Sequence, residues 1–217
     1  GPARGGVFER FSLPDPARLV GLLRVGLPIG ATTFFEMTLF ALVTLLVGQF
    51  GPTITAAHQI AYNVNGITFM APLALGMAAS VRVGFNVGRG DYGAAAVAAG
   101  RALRFALLFA LVAATVLLAT RHWVPLVYST DPEVVRVAAV LLAFVAGYQL
   151  VDDTQVTVIG ALRGYKDTGV PMAIALSGYW CVAFPLALLL AYRGVPMAWG
   201  GSEPLGVYGF WVGLTAG

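Results

Sequence analysis

Residues 134–168 read VVRVAAVLLAFVAGYQLVDDTQVTVIGALRGYKDT. An apolar run from Val134 to Gly160 carries two adjacent carboxylates, Asp152 and Asp153, and stops at a short basic loop from Arg163 to Gly169. About 20 apolar residues suffice for a helix to cross a ~30 Å hydrocarbon core. An acid inside such a core costs several kcal/mol when ionised, so its presence there points to function.

The runs around this one repeat the pattern. Residues 25–50 form a first spanning candidate, with Pro28 in its first turn. Glu36 sits mid-run, with Thr32 and Thr33 a turn before it and Phe40 a turn after. Gly51-Pro52 is a turn. Residues 54–81 form a second span whose first half holds His58, Gln59, Asn63 and Asn65, so that half is expected to face protein or water. Pro72 predicts a kink there. Residues 82–104 read as a loop rich in Arg and Gly. Residues 105–120 read as a short third span extending toward Tyr128, and Asp131-Pro132 as a helix start. Residues 134–160 and 170–192 are the fourth and fifth spans, the latter with Pro185 inside it, and 205–217 begin a sixth that ends too soon to cross. Residues 1–24 are polar and read as a linker, with a short amphipathic helix around Asp15 to Leu23. The fold expected is therefore all-α, a polytopic membrane helix bundle of about six transmembrane helices with the last truncated.

Composition agrees. The chain has 217 residues, 59% hydrophobic and 11% charged, with a mean hydropathy of +0.82. Soluble domains are nearer half apolar and a quarter charged. No basic stripe interleaves with aromatics, which argues against nucleic-acid binding. Cys181 is the single cysteine and lies in an apolar run, where packing is the expected role. His58 and His122 lack metal-ligand spacing. His58 is expected to bond Gln59 or backbone.

The basic residues fix an orientation. The N-terminal segment and the two loops after the second and fourth spans hold Arg4, Arg10, Arg18, Arg24, Arg82, Arg89, Arg101, Arg104, Arg163 and Lys166. The opposite side holds Arg121, Arg136 and Arg193. By the positive-inside rule the first group is cytoplasmic, and the location expected is the cell's inner (plasma) membrane.

Counting places the acids. Glu36 lies twelve residues after Arg24 and Asp152 eleven before Arg163. At ~1.5 Å per residue, both sit roughly 17 Å in, near the midplane. Two acids at one depth on different helices can share a proton or Na⁺. Tyr148, Asp152 and Gln155 share one helix face. Gln149, Asp153 and Thr157 share the next, about 100° round. Asp153 is expected to hydrogen-bond Gln149 or Thr157. Gln59, Asn63, Asn65, Phe69 and Gln155 are candidates for a substrate cavity, although Asn63 and Asn65 also suit interhelical hydrogen bonding. The arginines of the basic loops read as topology anchors.

Gly26-Leu27-Pro28-Ile29-Gly30, Phe34-Phe35-Glu36, Ala56-Ala57-His58-Gln59, Arg82-Val83-Gly84, Tyr148-Gln149 through Asp152, and Gly160 through Thr168 together resemble the multidrug and toxic compound extrusion (MATE) transporters, in their NorM-like bacterial branch. The resemblance runs from about Arg18 onward. It implies the C-terminal lobe of a two-lobed transporter. Residues 1–24 would be the cytoplasmic linker between lobes, and 25–217 a six-helix lobe incomplete at its C-terminal end. It also implies Na⁺ or H⁺ as coupling ion, no other cofactor, organic cations as substrates, and the N-terminal lobe and lipid bilayer as partners. Glu36 matches the acid on the lobe's first helix, Asp152 the cation-site acid and Tyr148 the tyrosine before it. Asp153 stands where a small or apolar residue is expected, and it is a further cation-binding candidate, which leaves open whether Asp152 alone carries the site. Two other classes fit less well. A lipid-linked precursor flippase of related helix plan is expected to carry mid-span Lys or Arg. An intramembrane aspartyl protease needs a Gly-x-Gly-Asp setting. Neither feature is present, so no enzyme is expected.

Overall fold

The computed structural model describes residues 15–193 and 204–217. The expected linker segment 1–14 and the loop 194–203 lie outside the described residues. Helices and their turns make up the described chain, and no strand occurs among these residues. We label the helices α1 (Pro16–Val47), α2 (Pro52–Gly88), α3 (Tyr92–Thr120), α4 (Pro132–Gly164), α5 (Gly169–Arg193) and α6 (Val207–Ala216). Helix α5 is one continuous rod in which α-helical turns alternate with π-helical ones at Gly178–Ala183 and Leu189–Arg193. The first five are long and apolar enough to cross a membrane, and α6 is shorter.

Several boundaries differ from the sequence reading. Helix α1 starts at Pro16, so the expected short amphipathic helix and the first span are one element, and Pro28 lies inside it rather than in its first turn. The expected loop at 82–104 shrinks to residues 89–91, because α2 runs on through Pro72 to Gly88 and α3 begins at Tyr92. The arginines there read as loop, yet an alanine-rich background keeps the backbone helical. Helix α3 therefore extends toward its N-terminus. It stops at Thr120 instead of reaching Tyr128, which lies just past a 3₁₀ turn at Val124–Val127. The caps are legible. The Asp91 Oδ1 accepts from the Ala94 N–H at 2.8 Å and the Asp131 Oδ1 from the Glu133 N–H at 2.9 Å, with Pro132 at the first helical position.

Helix α4 is the centre of the bundle. It packs against α2, α3 and α6, while α5 lies against α1 and α6. In a bilayer lipid is as apolar as leucine, so helices associate through close packing rather than hydrophobic burial. Small residues supply that packing. A Cβ at Gly76 would come 2.9 Å from the Val156 carbonyl oxygen, and one at Gly160 would overlap the Gly76 backbone. The same contacts show α2 and α4 running parallel, since Gly84 lies against Gly164 further along.

The two ends of the bundle follow. One gathers the 89–91 loop and the 165–168 loop, with the middle of α1 alongside: Ile29, Thr32, Arg163, Thr168 and Pro171 line one small cleft there. The other joins the turn after α1 to the end of α5. Phe50 stacks on Tyr192 at 5.7 Å between centroids, and the Tyr192 hydroxyl donates to the Gln49 Oε1 at 3.3 Å. Arg89 and Lys166 thus sit at one end and Arg193 at the other.

Candidate functional site

Between α1, α2 and α4 lies a cavity of about 520 Å³. Helix α1 contributes Glu36, Met37 and Phe40, and α4 contributes Tyr148 and Asp152. Helix α2 supplies a wall that includes Tyr62, Asn63, Asn65, Phe69 and Met70. A smaller recess of about 40 Å³ adjoins it toward the basic end. Thr32, Thr33 and Glu36 face it from α1, Phe69 from α2, Asp152, Gln155 and Arg163 from α4, and Tyr179 from α5. Glu36 and Asp152 line both spaces and so stand between them.

Each side chain is held for a local reason. Asp152 is 7% exposed and Tyr148 6%. One helical turn apart, they are neighbours on the α4 surface and line the same cavity. The Tyr148 ring is braced edge-on by Trp211 of α6, at 6.4 Å between centroids. Thr32 and Thr33 donate their hydroxyls to the Pro28 and Ile29 carbonyls at 2.8 Å and 3.1 Å. Their oxygens keep lone pairs for an incoming cation. Carboxylate, hydroxyl and amide oxygens are the donors that hard cations take. The larger cavity offers aromatic faces and methionines. Phe40 and Tyr62 lie 5.7 Å apart, and such faces attract cations.

The structure brings Glu36, Asp152, Tyr148, Asn63, Asn65, Phe69 and Gln155 to these two spaces. Gln59 is exposed and lines neither. Asp153 is fully buried and lines neither space, and its carboxyl oxygens have no hydrogen-bond partner among the described residues. The Thr157 hydroxyl donates to the Asp153 backbone carbonyl at 2.9 Å, not to the side chain, and the Gln149 amide is itself unpartnered among these residues. His58 pairs with neither Gln59 nor backbone. It is buried, with its Nε2 3.2 Å from the Thr44 Oγ1 of α1 and its ring stacked on Tyr62. Cys181 is exposed rather than packed inside.

Sequence reasoning missed Arg163 and Tyr179. Arg163 read as a topology anchor, but it is half-buried, its Nε has no partner among the described residues, and it lines the recess together with Glu36. A residue eleven positions from Asp152 reaches the same recess because Arg has a long stem that lies back along its helix. The cue was present, since Arg163 falls on the same face as Gln155 and Ile159.

A family model described as MatE matches residues 28–189. The multidrug resistance protein PmpM of Pseudomonas aeruginosa is 42% identical over 219 residues, covering 97% of this chain and 43% of PmpM. The multidrug resistance protein NorM of Vibrio cholerae is 40% identical over 211 residues, covering 97% of this chain and 45% of NorM. The chain thus spans less than half the length of these curated relatives. The crystal structure of the eukaryotic MATE transporter AtDTX14 superposes with a TM-score of 0.81 at 20% identity, over 94% of this chain and 45% of that one. A MOP superfamily transporter from Pyrococcus furiosus gives 0.77 at 17% identity, over 90% and 42%. Both likenesses show the fold. Five apolar spans and bacterial relatives of this kind make the chain a multi-pass protein of the inner membrane. A family match across most of the described helices, with two relatives at this identity over nearly the whole chain, establishes that the chain belongs to the MatE family.

Proposed function

We propose that the chain is one lobe of a cation-coupled antiporter that exports organic cations and other toxic compounds by alternating access. The observation that carries this reading is the position of Glu36 and Asp152 between an oxygen-lined recess and an aromatic cavity. A proton or Na⁺ in the recess neutralises the acids. An organic cation in the cavity lies against Phe40, Tyr62 and Phe69 and draws on the same two carboxylates. Both cannot be satisfied at once, so each ligand expels the other. Exchange across the membrane also requires that they favour different lobe arrangements. The second lobe is the expected partner, with residues 1–24, the last of them already part of α1, as the cytoplasmic link to it and the basic end of the bundle facing the cytoplasm.

The alternative, a flippase for lipid-linked precursors, calls for a cavity that attracts anions. The larger cavity carries acids and, among the described residues, no Arg or Lys, which favours the antiporter.

The test uses the full-length protein in proteoliposomes loaded with tetraphenylphosphonium. An imposed Na⁺ or H⁺ gradient should drive probe movement against it, and the gradient that works names the ion. Movement indifferent to both gradients rejects the reading.

A further inference from the structure

Away from the acidic site, a second cavity of about 210 Å³ lies between α2 and α3 at the basic end of the bundle. Two helical stripes wall it: Leu75, Ala78, Ala79 and Arg82 on α2, and Ala98, Arg101, Ala102 and Phe105 on α3. Each stripe has the i, i+3, i+4, i+7 spacing of one helix face. The alanines keep the groove open, because no side chain beyond a methyl fills the space between the helices.

Its level in the membrane is set by the sequence. The apolar run of α2 ends at Val81 and that of α3 begins at Phe105, so Arg82, Arg101 and the adjacent Arg104 mark the hydrocarbon boundary. Leu75 and Phe105 lie on the hydrocarbon side of it. The arginines are exposed, and among the described residues neither Arg82 nor Arg101 has an acidic partner, the ion pair described being Glu133–Arg136 on α4. The nearby acid, Asp91, is engaged in capping α3.

The groove also faces away from the acidic cavity. Leu75 lies about 180° round α2 from Gly66, which lines that cavity, at about 100° per residue. The side of α2 expected to meet the second lobe is therefore the opposite one.

We propose that this groove binds an anionic phospholipid of the leaflet at the basic end. The phosphate is taken between the Arg82 and Arg101 guanidiniums, which suit phosphate oxygens in fork geometry. One acyl chain descends along Leu75, Ala78 and Phe105. A soluble anion would use the arginines alone, whereas the apolar lower half of the groove is in contact with hydrocarbon. Basic pockets between helices on the cytoplasmic side are a known physical solution for such headgroups.

The experiment is native mass spectrometry of the full-length protein released from bilayers of equimolar dioleoyl phosphatidylglycerol and dioleoyl phosphatidylcholine. The wild type should retain phosphatidylglycerol over phosphatidylcholine by about fivefold or more, the Arg82→Gln/Arg101→Gln variant should lose that preference, and Arg82→Lys/Arg101→Lys should keep most of it. Leu75→Trp, which leaves both charges in place and fills the chain path, should also lower retention. Arg121→Gln, at the other end, should change nothing. Equal retention of the two lipids by the wild type overturns the proposal. So does an undiminished preference in the double Gln variant, or displacement of the lipid by inorganic phosphate alone.

Discussion

Glu36 of α1 and Asp152 of α4, 116 positions apart in sequence, line the same two spaces and are the acids those spaces share. Their meeting depends on α4 being held centrally, by Gly76 against Gly160 on one side and by Trp211 behind Tyr148 on another. We expect Asp152→Asn in the full-length protein to reduce ion-driven tetraphenylphosphonium exchange at least about tenfold, as loss of a charge-assisted site of about 1.5–3 kcal/mol implies. Expression and melting temperature should stay close to wild type, because an amide fills the same volume. Glu36→Gln should behave alike. Exchange at wild-type rates in either variant would remove that residue from the site.

Arg163 should act in the opposite sense. It lines the recess that Glu36 and Asp152 also line, it forms no ion pair with either among the described residues, and its Nε is unpartnered among them. A fixed positive charge beside the acids competes with any incoming cation. Arg163→Gln should therefore tighten equilibrium binding of tetraphenylphosphonium, and Arg163→Lys should leave it near wild type. Unchanged binding in Arg163→Gln, with the fold intact, would make the residue an anchor and nothing more, and weaker binding would overturn the competing role.

Orientation can be read with single cysteines in intact cells after Cys181→Ser. Cysteines at positions 89 and 166 should be shielded from a membrane-impermeant maleimide, and one at 193 should react. Labelling of 89 and 193 from the same side contradicts both the alternating ends of the bundle and the positive-inside reading.

The spans, their order and the alternation of ends were legible because apolar runs and arginine anchors obey the bilayer's thickness. Glu36, Asp152 and Tyr148 were legible because depth and the helical repeat can be counted along each run. What failed depends on neighbours. The helical state of residues 82–104 is decided by α2 and α3 extending past the hydrocarbon, where no hydropathy signal marks them. His58 shared a polar half-span with Asn63 and Asn65, yet its partner is Thr44 on another helix. Gln59 shared that half-span too, and one step of rotation leaves it exposed.

Packing gives a cleaner contrast within α4. Gly160→Leu places a side chain where the Gly76 backbone already lies, and should destabilise by about 1–3 kcal/mol, as overpacking does. A methyl group at Gly147 would meet nothing within 4 Å, so Gly147→Ala should stay within about 0.5 kcal/mol. Thermal unfolding in detergent compares them. Equal melting temperatures would mean that the α2–α4 contact is not tight.

Asp153 separates a buried acid from a working one. It is one residue from Asp152, about 100° round the helix, and it lines neither the cavity nor the recess. Among the described residues, its two oxygens and the Gln149 amide beside it are buried without partners. A buried polar group left unsatisfied costs about 1–3 kcal/mol, and more when charged. Asp153→Asn keeps the shape, removes any charge and supplies an amide hydrogen that Gln149 can accept. We therefore expect Asp153→Asn to melt at or above the wild-type temperature and to retain most of the ion-driven exchange that Asp152→Asn loses. Measuring both variants in the same proteoliposomes decides the matter. If Asp153→Asn is as inactive as Asp152→Asn while folding normally, both carboxylates serve transport, and the site extends through α4 to the face that packs on α2.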